Sequence, residues 1–234
     1  MAVNVDTVYQ RVLTLANKEQ RGYITPQEFN LLANQAQMDI FEQYFYDLNQ
    51  FRRSPGNDTL YADMVGILEE KIETFHKETT IGPGSNPFDL PSDYYRLAQV
   101  RYNNTTLGYG VEIEKLPHKK LLNAGNSPLT APTLSRPVYY IKDTKITVNP
   151  NSINMIDVSY IRKPINVNWT YIVVGEKALY NNDATDAQNF ELHPSEETKL
   201  VIKILGLAGI TLKDPGLYQI AGAEDNKNIQ QEKQ

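Results

Sequence analysis

The sequence contains no cysteine, which removes disulfides, thiolate nucleophiles and thiolate metal sites from consideration. It holds only three histidines, His76, His118 and His193, and their spacing matches no metal-ligand pattern. His193, directly before Pro194, reads as a helix-start residue. No stretch approaches the roughly eighteen apolar residues of a membrane helix, so no membrane partner is expected. The opening residues MAVNVDTVYQR lack the apolar core of a secretion signal, and the expectation is a product made and kept in the cytosol. A basic run is missing too. Arg52-Arg53, Lys119-Lys120 and Arg162-Lys163 are isolated pairs in a chain of 23 basic and 28 acidic residues, net −5. A dedicated nucleic-acid binder gathers its positive charge into a stripe, and this chain does not. No spacing selects a catalytic pair among the carboxylates, and Gly82-Pro83-Gly84 precedes no Lys-Ser/Thr. Catalytic, cofactor-binding and metal-binding residues are therefore assigned to none, and the chain is not read as an enzyme.

What the chain does have is length, amides and tyrosine. Its 234 residues suffice for one large domain or two small ones. There are 15 Tyr against 7 Phe, shifting the aromatic load toward side chains with a polar handle. The 21 Asn and 13 Gln point to a surface of loops and amide hydrogen bonds rather than strong charge.

The organising stretch runs from Thr25 to Phe51. Thr25 can cap, Pro26 fits the first helical position, and Glu28 completes a capping box. Phe29, Leu32, Ala33, Ala36, Ile40, Tyr44, Leu48 and Phe51 recur at helical spacing, so one helix of about 40 Å is expected. A first helix capped by Asn4 or Asp6 should precede it, and a third capped by Asn57 or Asp58 should follow a Pro-Gly turn, forming an antiparallel pair with the long helix. Helix resumes at His193 with Leu200, Val201, Ile204, Leu205, Ala208 and Leu212, and a last helix opens at Asp214-Pro215.

Between these helices the character changes. Nine of the 13 prolines lie from Pro83 to Pro164. Strands are expected at Tyr94–Tyr102, Val111–Leu116, Val138–Ile141, Lys145–Val148, Met155–Arg162 and Tyr171–Val174, with a hairpin turning near Asp143. Pro117 to Pro137 reads as a long loop. The fold class is α+β: a helical bundle from residues 1–82 and 190–234, carrying an inserted antiparallel β-rich region, sandwich- or barrel-like, at 83–189. Tyr44, Phe45, Tyr46 and Phe51 surround the long helix, implying burial on more than one side. Other helices of the chain or a neighbouring subunit can supply that cover. Tyr44, Tyr46 and Phe51 are the candidate subunit-interface residues, with Leu217 and Ile220 on the last helix.

Several stretches together resemble virion proteins of short-tailed, crAss-like bacteriophages: Arg21-Gly22-Tyr23-Ile24-Thr25-Pro26 through Phe29-Asn30, Leu90-Pro91-Ser92-Asp93-Tyr94-Tyr95, Tyr160-Ile161-Arg162-Lys163-Pro164 and Glu191-Leu192-His193-Pro194-Ser195. The layout is also similar to head-to-tail connector, adaptor and ring proteins. That resemblance implies a structural subunit of the virion neck, in a homo-oligomeric ring of commonly twelve copies. Portal protein, adjacent neck or tail rings and the passing genomic DNA, met without sequence specificity, would be its partners. It also implies that the C-terminal segment docks on a neighbouring ring. Alternatives are another virion component, such as a tail hub, head-fibre or capsid-associated protein, a cell-wall hydrolase, or a glycan-binding module built on the β-rich region.

Overall fold

The computed structural model describes residues 3–18, 23–53, 64–84, 86–104 and 109–211. In chain order the helices are α1 (Val5–Lys18), α2 (Pro26–Arg53), α3 (Met64–Glu73), α4 (His118–Gly125) and α5 (Glu197–Thr211). The strands are β1 (His76–Ile81), β2 (Phe88–Asp89), β3 (Tyr94–Asn104), β4 (Tyr109–Glu112), β5 (Glu114–Lys115), β6 (Val138–Lys142), β7 (Lys145–Asn149), β8 (Ile156–Arg162), β9 (Tyr171–Val174) and β10 (Lys177–Tyr180). The fold is mixed helix and sheet, and the chain divides into two compact units. One comprises 1–71 and 164–234, the other 72–163. Residues 164–189, whose composition groups them with the β-rich stretch, sit with the helices. Among the described residues no helix is long and apolar enough to cross a membrane.

In the helical unit the start signals act as their chemistry requires. Asn4 Oδ1 accepts the backbone N–H groups of Asp6 (2.8 Å) and Thr7 (3.2 Å), so Asn4 rather than Asp6 caps α1. At α2 the Thr25 N–H donates to the Glu28 carboxylate (2.9 Å) and the Glu28 N–H to Thr25 Oγ1 (3.3 Å), the reciprocal pair of a capping box. The Thr25 backbone N–H, and then its hydroxyl, hold the Glu28 carboxyl below the usual range. α2 spans 28 residues, about 42 Å. It buries Phe29, Ala33, Ala36, Ile40, Phe41 and Tyr44 on one side. α5 packs against both α1 and α2 and buries Leu200, Val201, Ile204, Leu205 and Ala208. Lys71 Nζ lies 2.5 Å from Glu196 Oε1 and 5.6 Å from the Tyr44 ring centroid, so a largely enclosed cation is matched by a carboxylate and an aromatic face. The turn expected before α3, with its Asn57 or Asp58 cap, and the helix expected at Asp214 lie outside the described residues.

The second unit contains two four-stranded sheets, ordered β1-β8-β3-β4 and β2-β7-β6-β5. All pairings are antiparallel except β5 with β6. The inward residues of both sheets form one apolar cluster, including Phe88, Val100, Tyr102, Ile113, Tyr139, Ile146, Val148, Ile156, Val158 and Tyr160. Neither sheet closes into a barrel. The strand expected at Val111–Leu116 is interrupted at Ile113, whose side chain is buried and whose N–H donates to Val100 O (2.9 Å). There the chain leaves one sheet for the other, because β4 pairs with β3 and β5 with β6. Asp93 staples the first sheet: its carboxylate accepts from Tyr160 Oη (2.9 Å) and Lys77 Nζ (2.9 Å).

Two elements escape the sequence signals. β1 follows α3 after a two-residue turn, and its HKETTI sequence carries little apolar pattern; four of its six partners on β8 are buried while none of its own residues is. α4 lies inside the stretch expected to be a loop; Pro117 at its N-cap makes no side-chain capping bond, and only Leu121 is buried.

Candidate interaction surface

The most distinctive construction in the helical unit is a row of amide side chains on α2. Asn30, Asn34 and Gln37 are spaced four and three residues apart, so they project from one face. Alongside them the chain runs extended from Ile165 to Trp169. Asn30 accepts from the Trp169 N–H (2.8 Å) and donates to Trp169 O (3.2 Å). Asn34 accepts from the Val167 N–H (2.6 Å) and donates to Val167 O (3.0 Å). Gln37 donates to Ile165 O (2.9 Å) and accepts from the Glu191 N–H (3.1 Å). In an extended chain, alternate residues turn their backbone groups to the same side, so 165, 167 and 169 meet successive amides. The row supplies the donors and acceptors that a neighbouring strand would otherwise provide. Each buried peptide group left without a partner would cost about 1–3 kcal/mol.

The row ends at Trp169, 1% exposed, the single tryptophan of the chain. Its Nε1 donates to Asp6 Oδ1 (3.0 Å). The ring lies 4.3 Å, centroid to centroid, from Tyr9, which in turn lies 4.7 Å from Phe29. Burial first, and then the Tyr23 hydroxyl, push the Tyr9 phenol up, keeping it a donor to Ile24 O. On its other side Trp169 stacks on both Tyr171 and Tyr180, each at 5.8 Å and 22°. These two tyrosines are the cross-strand pair that opens the β9–β10 ribbon. Thr170 adds a clamp: its carbonyl accepts the Asn181 N–H (3.0 Å) and its hydroxyl donates to Asn181 O.

From that root the ribbon carries Ile172, Val173, Val174 and Leu179, exposed at 50%, 67%, 55% and 48%. Among the described residues β9 and β10 pair only with each other. The connecting residues Gly175 and Glu176 both have positive φ, 56° and 64°, in a two-residue turn closed by the Val174–Lys177 pair. An aliphatic run of this kind on a bare two-stranded ribbon is what a soluble monomer avoids and a contact surface uses.

A recess lies on the same unit, between α1 and α5. Asp6, Thr7, Gln10, Arg11, Thr14 and Leu15 line one wall and Thr198, Val201 and Ile202 the other, enclosing about 650 Å³. Arg11 pairs with Glu197 across it (2.9 Å). The β-rich unit has a polar recess of about 350 Å³ on the outer face of β1, β8 and β3. There Asp157 accepts from Thr80 Oγ1 (2.7 Å) and Asn103 Nδ2 (3.2 Å), and Ser159 Oγ lies 2.6 Å from His76 Nε2. The Ser159–His76 pair has the reach of a nucleophile and base. No third orienting group stands on His76 among the described hydrogen bonds.

Of the residues singled out from sequence, Tyr44 is buried by its own chain under Lys71. Tyr46 is 59% exposed, its hydroxyl accepting from Gln50 Nε2 (2.8 Å), and Phe51 is half-buried. Leu217 and Ile220 lie outside the described residues. His193 caps the 3₁₀ turn Pro194–Glu196, its ring nitrogen accepting the Ser195 N–H. The ribbon itself was half-visible: Tyr171–Val174 has strand composition, while Lys177–Tyr180 lacks β-branched residues and Gly-Glu is not a common hairpin dipeptide. Comparison with protein-family models and with curated protein sequences gives no match.

Proposed function

We propose that this chain is a structural subunit of an oligomeric ring in the head-to-tail neck of a tailed phage, joining portal to tail around the DNA exit path. The reading combines the resemblance of the four sequence stretches with one structural observation that carries most weight: an aliphatic ribbon presented to solvent on a rigid aromatic root. Ile172, Val173 and Val174 carry no group that could transfer a proton, attack or ligate a metal, and exposed aliphatic side chains of this kind serve to bury against a partner. In this reading the helices form a bundle that makes the ring body. The inserted β-rich unit, as a two-sheet sandwich, meets the ring above or below, and the protein resides in the virion.

Native mass spectrometry of the purified protein, alone and mixed with portal protein, tests the proposal. A stoichiometric complex with portal or another neck protein is expected, with the protein oligomeric alone or within that complex. A protein that binds neither portal nor another neck protein would overturn it.

A further inference from the structure

We infer that the ribbon β9–β10 of one copy seats in the α1–α5 groove of the next copy. The inference rests on the ring reading above and specifies the contact that would build the ring. It begins from a protrusion and a recess that occur on the same unit, neither filled by the described residues. In the described chain the ribbon's aliphatic side chains face solvent and none of them lines the groove. The groove therefore does not take its own ribbon.

The dimensions agree. Along α1 the groove runs from Asp6 to Leu15, about 13 Å at the rise of a helix. Each ribbon strand spans four residues, three rises or about 10 Å, and fits within that length. A volume of about 650 Å³ admits the several aliphatic side chains of one ribbon face. The chemistry agrees as well. The groove presents Leu15, Val201 and Ile202, bordered by Asp6, Gln10, Arg11 and Thr14. One ribbon face presents Ile172, Val174 and Leu179, with Val173 on the opposite face beside Ala178, and the ribbon's charges, Glu176 and Lys177, sit at and beside the turn. One acid and one base on each side leave no like-charged row facing another.

The area sets the strength. The exposed aliphatic side chains amount to a few hundred Å², below the ~800 Å² per partner of a stable pairwise interface. One seated ribbon is then a weak contact. A surface that meets a different surface of the next copy is heterologous and propagates until it closes as a ring, where each subunit gives and receives a ribbon. Closure makes each further contact intramolecular, which is how a weak link holds a closed ring.

The absence of cysteine allows a direct test by disulfide trapping. Two single variants, Val174→Cys and Ile202→Cys, are mixed and mildly oxidised; the expected product is a mixed dimer, several-fold above that from Leu129→Cys with Ile202→Cys. Leu129 is 90% exposed and belongs to the other unit, so it reports random collision. The double variant Val174→Cys/Ile202→Cys should give a ladder of cross-linked oligomers. A mixed dimer no more abundant than the Leu129→Cys control would overturn the inference. The two readings separate cleanly: portal binding without the cross-link removes this contact and leaves the neck assignment standing. A cross-link without portal binding keeps the contact and removes the neck assignment.

Discussion

Two hairpins in this molecule share a turn and part company everywhere else. β6–β7 and β9–β10 are each joined by two residues at positive φ, Asp143-Thr144 (50° and 64°) and Gly175-Glu176 (56° and 64°), between strands paired without a bulge. Both carry an aliphatic and aromatic load typical of strands. In β6–β7 that load is consumed: β5 and β2 flank it, and Tyr139, Ile146 and Val148 enter the shared core. In β9–β10 neither edge is paired among the described residues, and the apolar residues beyond the root face water. Turn geometry therefore says that a hairpin forms, and says nothing of what it is for. The neighbours decide that. A hairpin whose apolar side chains find no cover in its own chain is a surface awaiting one, and the rigid Trp169 root means that it waits in a fixed shape.

Substitutions sharpen the contrast. The largest effect should follow from removing the root. Trp169→Ala leaves a cavity beneath Tyr171 and Tyr180 and an unmatched Asp6, and should cost about 3–5 kcal/mol in urea unfolding followed by circular dichroism. Next, matched truncations in the two hairpins should diverge. Ile146→Ala, fully buried in β7, should cost about 2–5 kcal/mol. Val173→Ala in β9 should stay within about 0.5 kcal/mol when measured at low protein concentration. Equal costs would mean that the ribbon is already covered in the monomer.

The turns themselves should respond alike, because strain there is local. Thr144 and Glu176 each hold a left-handed conformation that costs an L-residue about 1–2 kcal/mol. Thr144→Gly and Glu176→Gly should each raise stability, by about 1 kcal/mol after the entropy of glycine is set against the relief.

The smallest expected effect is a pH limb confined to the β-rich unit. The hydrogen bond from the Lys77 ammonium foremost holds the Asp93 carboxyl below its usual 3.8; burial opposes it, and the Tyr160 hydroxyl adds to the lowering. A depressed carboxyl pKa contributes stability above 3.8 and loses it as pH falls through the folded value. Asp93, chiefly by its hydrogen bond, raises Lys77 above 10.5, a contribution lost only as pH rises past that point. Acid titration of unfolding should show a limb below about pH 4 that Asp93→Asn flattens. The ribbon, which has no comparable pair, should be indifferent to it.

How much of this was legible follows the same division between local and long-range signals. The capping box at Thr25 and Glu28, the Asn4 cap, the helical register of α2 and the 139–148 hairpin are written in neighbouring residues, and sequence reading reaches them. The amide row is not local. Asn30, Asn34 and Gln37 look like ordinary polar positions of a helix, and only the chain arriving more than a hundred residues later makes them partners. The abundance of amides predicts such bonds in general without saying where. β1 and the β4–β5 crossing were hidden for a related reason, since their burial comes from a partner strand. Tyr44 and Tyr46 look equivalent by composition. Two residues apart on a helix, they point to different faces, and one is interior while the other is surface.

The central claim, that the β9–β10 ribbon is an assembly surface, is tested most directly by sedimentation velocity of the native chain and of Ile172→Glu across a range of concentration. The account predicts that the native protein sediments faster as concentration rises, while Ile172→Glu, folded to the same circular dichroism spectrum, stays at the monomer value throughout. Identical concentration dependence for the two proteins would contradict it.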